Sequence, residues 1–255
     1  MDEQALEPYS RLAGVYDEIV VDPCFPLWAE FLDSVWRQDT DGVSTVLDIC
    51  CGTGLLAAEL VGKGYRVVGI DASEAMLARA QALLGVDVPL LRQTLPDLRV
   101  EGPFDAAIST FDGLNYLPPA DFSATLSAIA ATLRPDGWLV FDLHTDAMLQ
   151  HVANNSVISG ETDGNGFVIT SDVDAAARTC NARIVVTCGA DSFAEEHLQY
   201  FHSDDAVHQA LTAAGFGHIE VVDEYTPAAA SATTLRATWV SRKVQFDAPS
   251  RPRSA

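Results

Sequence analysis

Two carboxylates and two glycines set the first constraint on what this chain does. Asp48 closes an apolar run, Gly52 and Gly54 punctuate the turn after it, and Asp71 closes a second apolar run over residues 65–70. Glycine at these places removes side chains where the backbone must turn sharply and a ligand must come close. An acid at the end of the second run is placed to accept hydrogen bonds from both hydroxyls of a ribose, so the expected ligand is nucleotide-like. With Ala57 the glycines satisfy the pattern G-x-G-x-x-G/A, which dinucleotide sites share. Asp48 argues against a dinucleotide, because a carboxylate sits badly beside a pyrophosphate and well beside a cationic amino-acid group. These residues require a strand, a tight loop, a helix and a second parallel strand, with the crevice outside the strands' carboxyl ends.

A second set could move protons or orient an acceptor. In EEHLQYFH (195–202), period-two alternation puts Glu195, His197, Gln199 and Phe201 on one strand face. His197 on that face is a candidate base, with a solvated edge histidine as the plain alternative. His144 lies just past the fifth expected strand, where it could accept a proton or hydrogen-bond the turn. Asp112, Asn115 and Tyr116 fall in FDGLNYLPP (111–119), after the fourth expected strand. Tyr9 and Tyr16 lie on an N-terminal apolar stripe and either pack a helical cap or reach the acceptor. Asp142, His144 and Asp146 do not extend to a ligand cluster, so no metal is expected.

The elements that must hold these residues alternate as in an α/β domain. Strand patterns near 86–91, 104–110 and 138–143 follow the first two, with helices from Ser73 and across 122–133 between them. Ahead of the first strand, residues 1–42 are expected to form a helical cap, helical over 9–20 and again from near Pro26. Residues 147–204 leave the βα alternation and read as an inserted antiparallel β lid, with runs at 167–173, 182–188 and 193–202. A helix over 203–214 and two closing strands near 218–225 and 234–244 return to the sheet. The tail from 247 to 255, rich in Pro, Ser and Arg, is expected to be disordered. The whole chain is one domain.

Bulk properties narrow the partners. The chain has 255 residues, enough for a full core, and a net charge of −21, which repels a phosphate backbone and argues against a nucleic-acid substrate. Five cysteines without ligand spacing suit a reducing cytoplasm, and no apolar run has membrane-spanning length. A monomer and a homodimer both remain open.

LDICCGTG (47–54) followed by GIDAS (69–73) resembles the first two binding motifs of the class I S-adenosylmethionine-dependent methyltransferases, whose common form is LDxGCGTG. Cys50 departs from it, standing where Gly or Ala is usual. The resemblance implies a Rossmann-like seven-stranded sheet and S-adenosyl-L-methionine as cofactor. It implies a cofactor site of Asp48, Cys50, Cys51, Gly52, Gly54, Asp71, Ala72 and Met76, joined by Gln93, Thr94 and Leu95 and roofed by Tyr9. Gln93 stands where an acid commonly meets the adenine amino group, and Leu95 would pack on the ring. The Tyr9…Tyr16-Asp17 opening, the N-Y-L stretch at 115–117 and the E-x-H at Glu195 and His197 are similar to the small-molecule branch, including aminosugar N-methyltransferases. By that likeness Tyr16, Asp112, Asn115, Gln199 and Arg236 would face a small-molecule acceptor, while His197, Tyr116 and His144 would serve the transfer to nitrogen or oxygen. A relative that binds the cofactor without transferring methyl would carry the same cofactor motifs.

Overall fold

Continuous apolar runs make the centre of the sheet, because strands covered by helices on both faces bury both sets of side chains. The computed structural model describes residues 7–19, 24–162 and 164–244. Strands β1 (Thr45–Ile49), β2 (Arg66–Asp71), β3 (Leu90–Arg92), β4 (Phe104–Ser109), β5 (Leu133–His144), β10 (Phe216–Asp223) and β11 (Arg236–Lys243) form one seven-stranded sheet. Their order is β3-β2-β1-β4-β5-β11-β10, and only β11 runs against the rest. The reversal of winding between β1 and β4 opens a crevice at the carboxyl ends, where such sheets bind ligands. One apolar cluster, around Leu47, Ile49, Leu126, Phe141 and Trp239, fills one face. A second, around Leu32, Trp36, Val46, Leu60 and Ile108, fills the other. The expected fold class stands.

Between β5 and β10 lie α6 (Asp146–Asn154), four antiparallel strands and α7 (Asp204–Ala213). The strands β6 (Val157–Thr162), β7 (Asn165–Asp174), β8 (Thr179–Cys188) and β9 (Asp191–Tyr200) form a meander, one strand more than the alternation predicts. Gly160 hides β6 in the sequence by breaking its apolar pattern. It pairs with Phe167, and a Cβ at 160 would meet that ring at 2.7 Å. The ring therefore fills the space a side chain would otherwise occupy.

The cap also differs from expectation. A continuous helix over 9–20 is absent; Tyr9 is left-handed (φ 60°), a single 3-10 turn spans Leu12–Gly14, and α1 (Tyr16–Ile19) is one turn. The cause lies in the lid: the Glu195 carboxylate accepts the backbone N–H groups of Tyr9, Arg11 and Leu12, which fixes that stretch as an irregular clasp. Helix α2 (Phe25–Trp36) forms as expected but buries Trp28, Leu32, Val35 and Trp36, leaving Leu27 66% exposed. The remaining parts of the expected cap, residues 1–6 and 20–23, and the tail from 245 lie outside the described residues. Among the described residues no helix is long and apolar enough to cross a membrane, and no cluster of His, Cys, Asp and Glu could hold a metal ion.

Candidate active site

A cleft of about 1150 Å³ opens over the carboxyl ends of β1, β2 and β4. Its floor is the loop from β1 to α3 (Leu55–Gly62), where Cys50, Gly52 and Gly54 all take positive φ (58°, 55° and 83°). The glycines do different work. At Gly52 a Cβ would enter open space on the cleft side, whereas at Gly54 it would meet Leu84 at 2.9 Å and Ala80 at 3.1 Å. Gly54 thus lets α3 pack on α4 (Glu74–Leu84) and does not line the cleft. Asp71 ties the first loop to the second, accepting Gly52 N–H at 2.9 Å and Ser73 N–H at 2.8 Å. Burial pushes its carboxyl up against the pull of those donors. Asp48, 2% exposed, is pushed up to about 8 by burial and by the neighbouring charge of Asp71. Two carboxyls that lack positive partners are suited to receive a cation. Burial likewise pushes both the Cys50 and Cys51 thiols up, so they act as small neutral walls.

Of the predicted cofactor residues, all but Gly54 line this cleft: Tyr9, Asp48, Cys50, Cys51, Gly52, Asp71, Ala72, Met76, Gln93, Thr94 and Leu95. The Gln93 amide is partly engaged, since its oxygen accepts Arg99 N–H at 2.7 Å and its nitrogen donates to Arg99 C=O at 3.1 Å. The volume, the open space at Gly52 and the paired acids fit S-adenosylmethionine, whose ribose and cationic amino-acid end match Asp71 and Asp48.

The roof is a four-membered chain of side chains. Tyr9 Oη lies 2.7 Å from Tyr116 Oη, which lies 2.7 Å from His197 Nδ1. His197 Nε2 lies 3.3 Å from Glu195 Oε2, and the ring is 3% exposed. Burial opposes ionisation of Glu195, but His197 and the N–H groups of Leu12, Arg11 and Tyr9 hold its carboxyl below the ordinary range. An ionised Glu195 only accepts, so His197 Nε2 carries the proton and Nδ1 accepts from Tyr116. The solvated edge histidine is thereby excluded. Burial raises Tyr9 and Tyr116 well above the ordinary phenol value, and Tyr16 is raised too, so all three stay protonated at neutral pH. Tyr9 is clasped at both backbone ends, by Glu195 and by Ser73 Oγ, which donates to its carbonyl at 3.0 Å.

Of the residues expected to face the acceptor, Tyr16 lines the cleft, whereas Asp112, Asn115, Gln199, Arg236 and His144 form a polar layer behind its wall. Asp112 accepts from Gln199 Nε2 at 2.6 Å and from Arg236 Nη2 at 3.3 Å, with His144 Nε2 at 3.4 Å. Arg236 also donates to Glu224 and stacks 4.7 Å over the Phe111 ring, so it is not free to reach a substrate anion. Asn115 joins three elements, donating to Tyr200 C=O and accepting His144 N–H. Sequence reasoning weighed Asp142 only as a metal ligand and missed that it organises this layer. Asp142, fully buried in β5, accepts the N–H groups of Phe111 and Asp112 at 2.8 and 2.6 Å and the Tyr225 hydroxyl at 2.9 Å. Phe111 and Asp112 are both left-handed (φ 61° and 51°), a strained pair that such a clamp can hold. Asp17 was missed as a contact too; it accepts from Thr53 on the glycine loop at 2.7 Å.

The sheet order is that of the class I methyltransferase fold, and the cleft with its acid pair fits S-adenosylmethionine. Residues 46–137 match the family model described as a methyltransferase domain. The chain is 28% identical over 245 residues to a protein of Geobacillus sp. (strain WCH70) named only as a methyltransferase, covering 92% of this chain and 99% of the relative. It is 30% identical over 107 residues, 42% of this chain and 45% of the relative, to a dTDP-3-amino-3,4,6-trideoxy-alpha-D-glucopyranose N,N-dimethyltransferase of Streptomyces venezuelae. In fold it is similar to the crystal structure of an S-adenosylmethionine-dependent methyltransferase from Clostridium acetobutylicum, with TM-score 0.82 at 22% identity over 93% of this chain and 99% of that one.

Proposed function

We propose that the protein transfers a methyl group to a nitrogen or oxygen of a small-molecule acceptor such as a natural-product intermediate, with Tyr116 and His197 managing the acceptor's proton. The observation that carries this reading is the chain Tyr9–Tyr116–His197–Glu195, which runs from the cleft wall to a buried carboxylate. Partial likeness to a relative named for amine methylation supports it.

The bound cofactor supplies a methyl carbon already activated by a sulfonium, so the protein's task is alignment, exclusion of water and proton removal. Tyr9, Tyr16 and Tyr116 wall the acceptor end of the cleft. An acceptor N–H or O–H donates to the Tyr9 or Tyr116 oxygen. As that hydroxyl takes the proton, the chain passes one on, and His197 Nδ1 receives it. Glu195 steadies the resulting imidazolium. His197 therefore acts through Tyr116 rather than by touching the acceptor. The tyrosines carry the proton without becoming phenolates, as their raised values require.

The test begins with S-adenosylhomocysteine release across pools of small amines and alcohols, which supplies an acceptor. His197→Gln, which keeps a hydrogen-bonding side chain but no basic nitrogen, should lower kcat by roughly 10²-fold or more. Cofactor affinity should stay within about threefold, and the limb on which rate rises with pH should vanish. Tyr116→Phe should do the same by cutting the chain one link earlier. Wild-type rates in folded His197→Gln would overturn the assignment.

A further inference from the structure

The cleft is larger than the roughly 300–1000 Å³ of common ligand pockets, so it has room for a cofactor and a second molecule. What lines it bears on the charge of that molecule. Its acidic side chains are Glu7, Asp48, Asp71, Glu74 and Asp121; among the described residues its only arginine or lysine is Arg92. Arg92 is already engaged, donating to Glu74 at 3.1 Å and to Ala72 C=O at 3.1 Å. The buried arginine nearest the acceptor wall, Arg236, is held by Asp112 and Glu224 behind Phe111. Helix N-termini are the other ready seat for a phosphate. Of the helices that begin on this cleft, α4 and α5 (Pro119–Thr132) carry an acid in the first turn, Glu74 and Asp121. Helix α3 begins on the glycine loop assigned to the cofactor, and α2 has Pro26, which lacks an N–H, in its first turn. The acceptor end is walled by the rings of Tyr9, Tyr16, Phe25, Phe111 and Tyr116. Aromatic faces attract ammonium groups and offer nothing to a phosphate.

We infer that the acceptor is an amine that arrives as an ammonium ion and carries no phosphate or nucleotide. The inference rests on the proposed small-molecule methyl transfer and narrows it to one charge class, apart from the nucleotide-linked sugars. After Asp48 and Asp71 are assigned to the cofactor and Glu74 to Arg92, Glu7 and Asp121 remain at the mouth to draw in a cation. The ring walls then hold the ammonium while the Tyr116–His197 chain removes the proton that blocks its lone pair.

Calorimetry on the protein saturated with S-adenosylhomocysteine tests this without requiring turnover. Three probes of similar size differ in charge: benzyltrimethylammonium, benzyl alcohol and benzyl phosphate. The cation should bind at least about tenfold more tightly than the alcohol, with the phosphate weakest. The preference should shrink about threefold in Asp121→Asn, a solvent-accessible site whose fold is checked by its melting curve, and shrink further as salt rises. Phosphate binding equal to the cation's, or absence of cation binding, overturns the inference. Absence of S-adenosylhomocysteine release with every acceptor, alongside a retained cation preference, overturns the transfer reading and leaves the charge class standing.

Discussion

The two ends of the main sheet hold the same residue type in opposite electrical states. At the amino end Asp39 and Asp105 are ringed by donors. Asp105 accepts from Ser44 and Thr45 and from Arg134 Nε at 2.8 Å, while Asp39 accepts from Arg134 at 2.8 Å, Trp138 Nε1 at 3.0 Å and Arg242 at 3.3 Å. Burial opposes their ionisation, yet those hydrogen bonds pull both below the ordinary carboxylate range. At the carboxyl end Asp48, Asp71 and Asp142 are all raised, with burial as the main cause in each. Arg236 eases only Asp142. Satisfied acids fasten the fold, as Asp142 does with three donors and Arg236 despite its raised value; Asp48 and Asp71, held without a cation, leave a place for one. The difference separates scaffold from site without reference to any relative.

The largest expected effect breaks the site end. Asp71→Ala removes the carboxylate proposed to accept two ribose hydroxyls and frees the Gly52 and Ser73 N–H groups that shape the loop. Each hydrogen bond to a charged group is worth about 1.5–3 kcal/mol, so affinity for S-adenosylmethionine should fall by roughly 10²–10⁴-fold. Titration calorimetry on the folded variant reads it, and unchanged affinity would remove Asp71 from the cofactor site.

How much of this was legible in sequence follows from distance along the chain. Asp48, Gly52 and Asp71 could be read because a βαβ unit brings a contiguous stretch together, and its order fixes which end of each strand faces the crevice. His197 was readable as a face of a strand. Its partner Tyr116 was not, because 81 residues separate them and an alternation pattern does not name a contact. Glu195 shows the limit most clearly. The helical stripe at 9–20 is real as a pattern, but three of its N–H groups bind a carboxylate 183 to 186 residues away, and tertiary structure overrides the local preference. Arg236 was misplaced for a related reason: a cation at the mouth of a sheet looks available until its three acidic neighbours are seen together.

A smaller effect sharpens the contrast through pH. Asp48 titrates near 8 when folded and near 3.8 when unexposed to burial, so the folded state holds a proton that the unfolded chain has lost across that window. Stability of the cofactor-free protein from this group is therefore full below about pH 4, falls as pH rises, and levels off above 8. Asp48→Asn removes the decline. The variant should match the parent near pH 4 and exceed it by about 2 kcal/mol at pH 8, a figure reduced from the full shift because the cleft admits water. Denaturant melts at both pH values check it, and a variant less stable at pH 8 would show that Asp48 is satisfied after all.

The smallest effect tests the amino end, where the sign must reverse. Asp105 is depressed when folded, so its contribution to stability is present above the unfolded value near 3.9 and lost as pH falls toward the folded one. Asp105→Asn keeps an acceptor oxygen for Ser44 or Thr45 but gives up the charge facing Arg134. The side chain is 20% exposed, and its ion pair is partly screened, so the expected loss is about 1 kcal/mol at pH 7, or roughly 2–4 °C in melting temperature for a chain of this size. That loss should shrink as the solution is acidified below pH 4, and both cofactor affinity and kcat should be unchanged. A variant more stable than the parent at pH 7, by a margin that vanished on acidification, would place Asp105 with the raised acids of the site end. A drop in turnover with no drop in stability would mean that the amino end is coupled to the cleft through β4 and is more than a fastening.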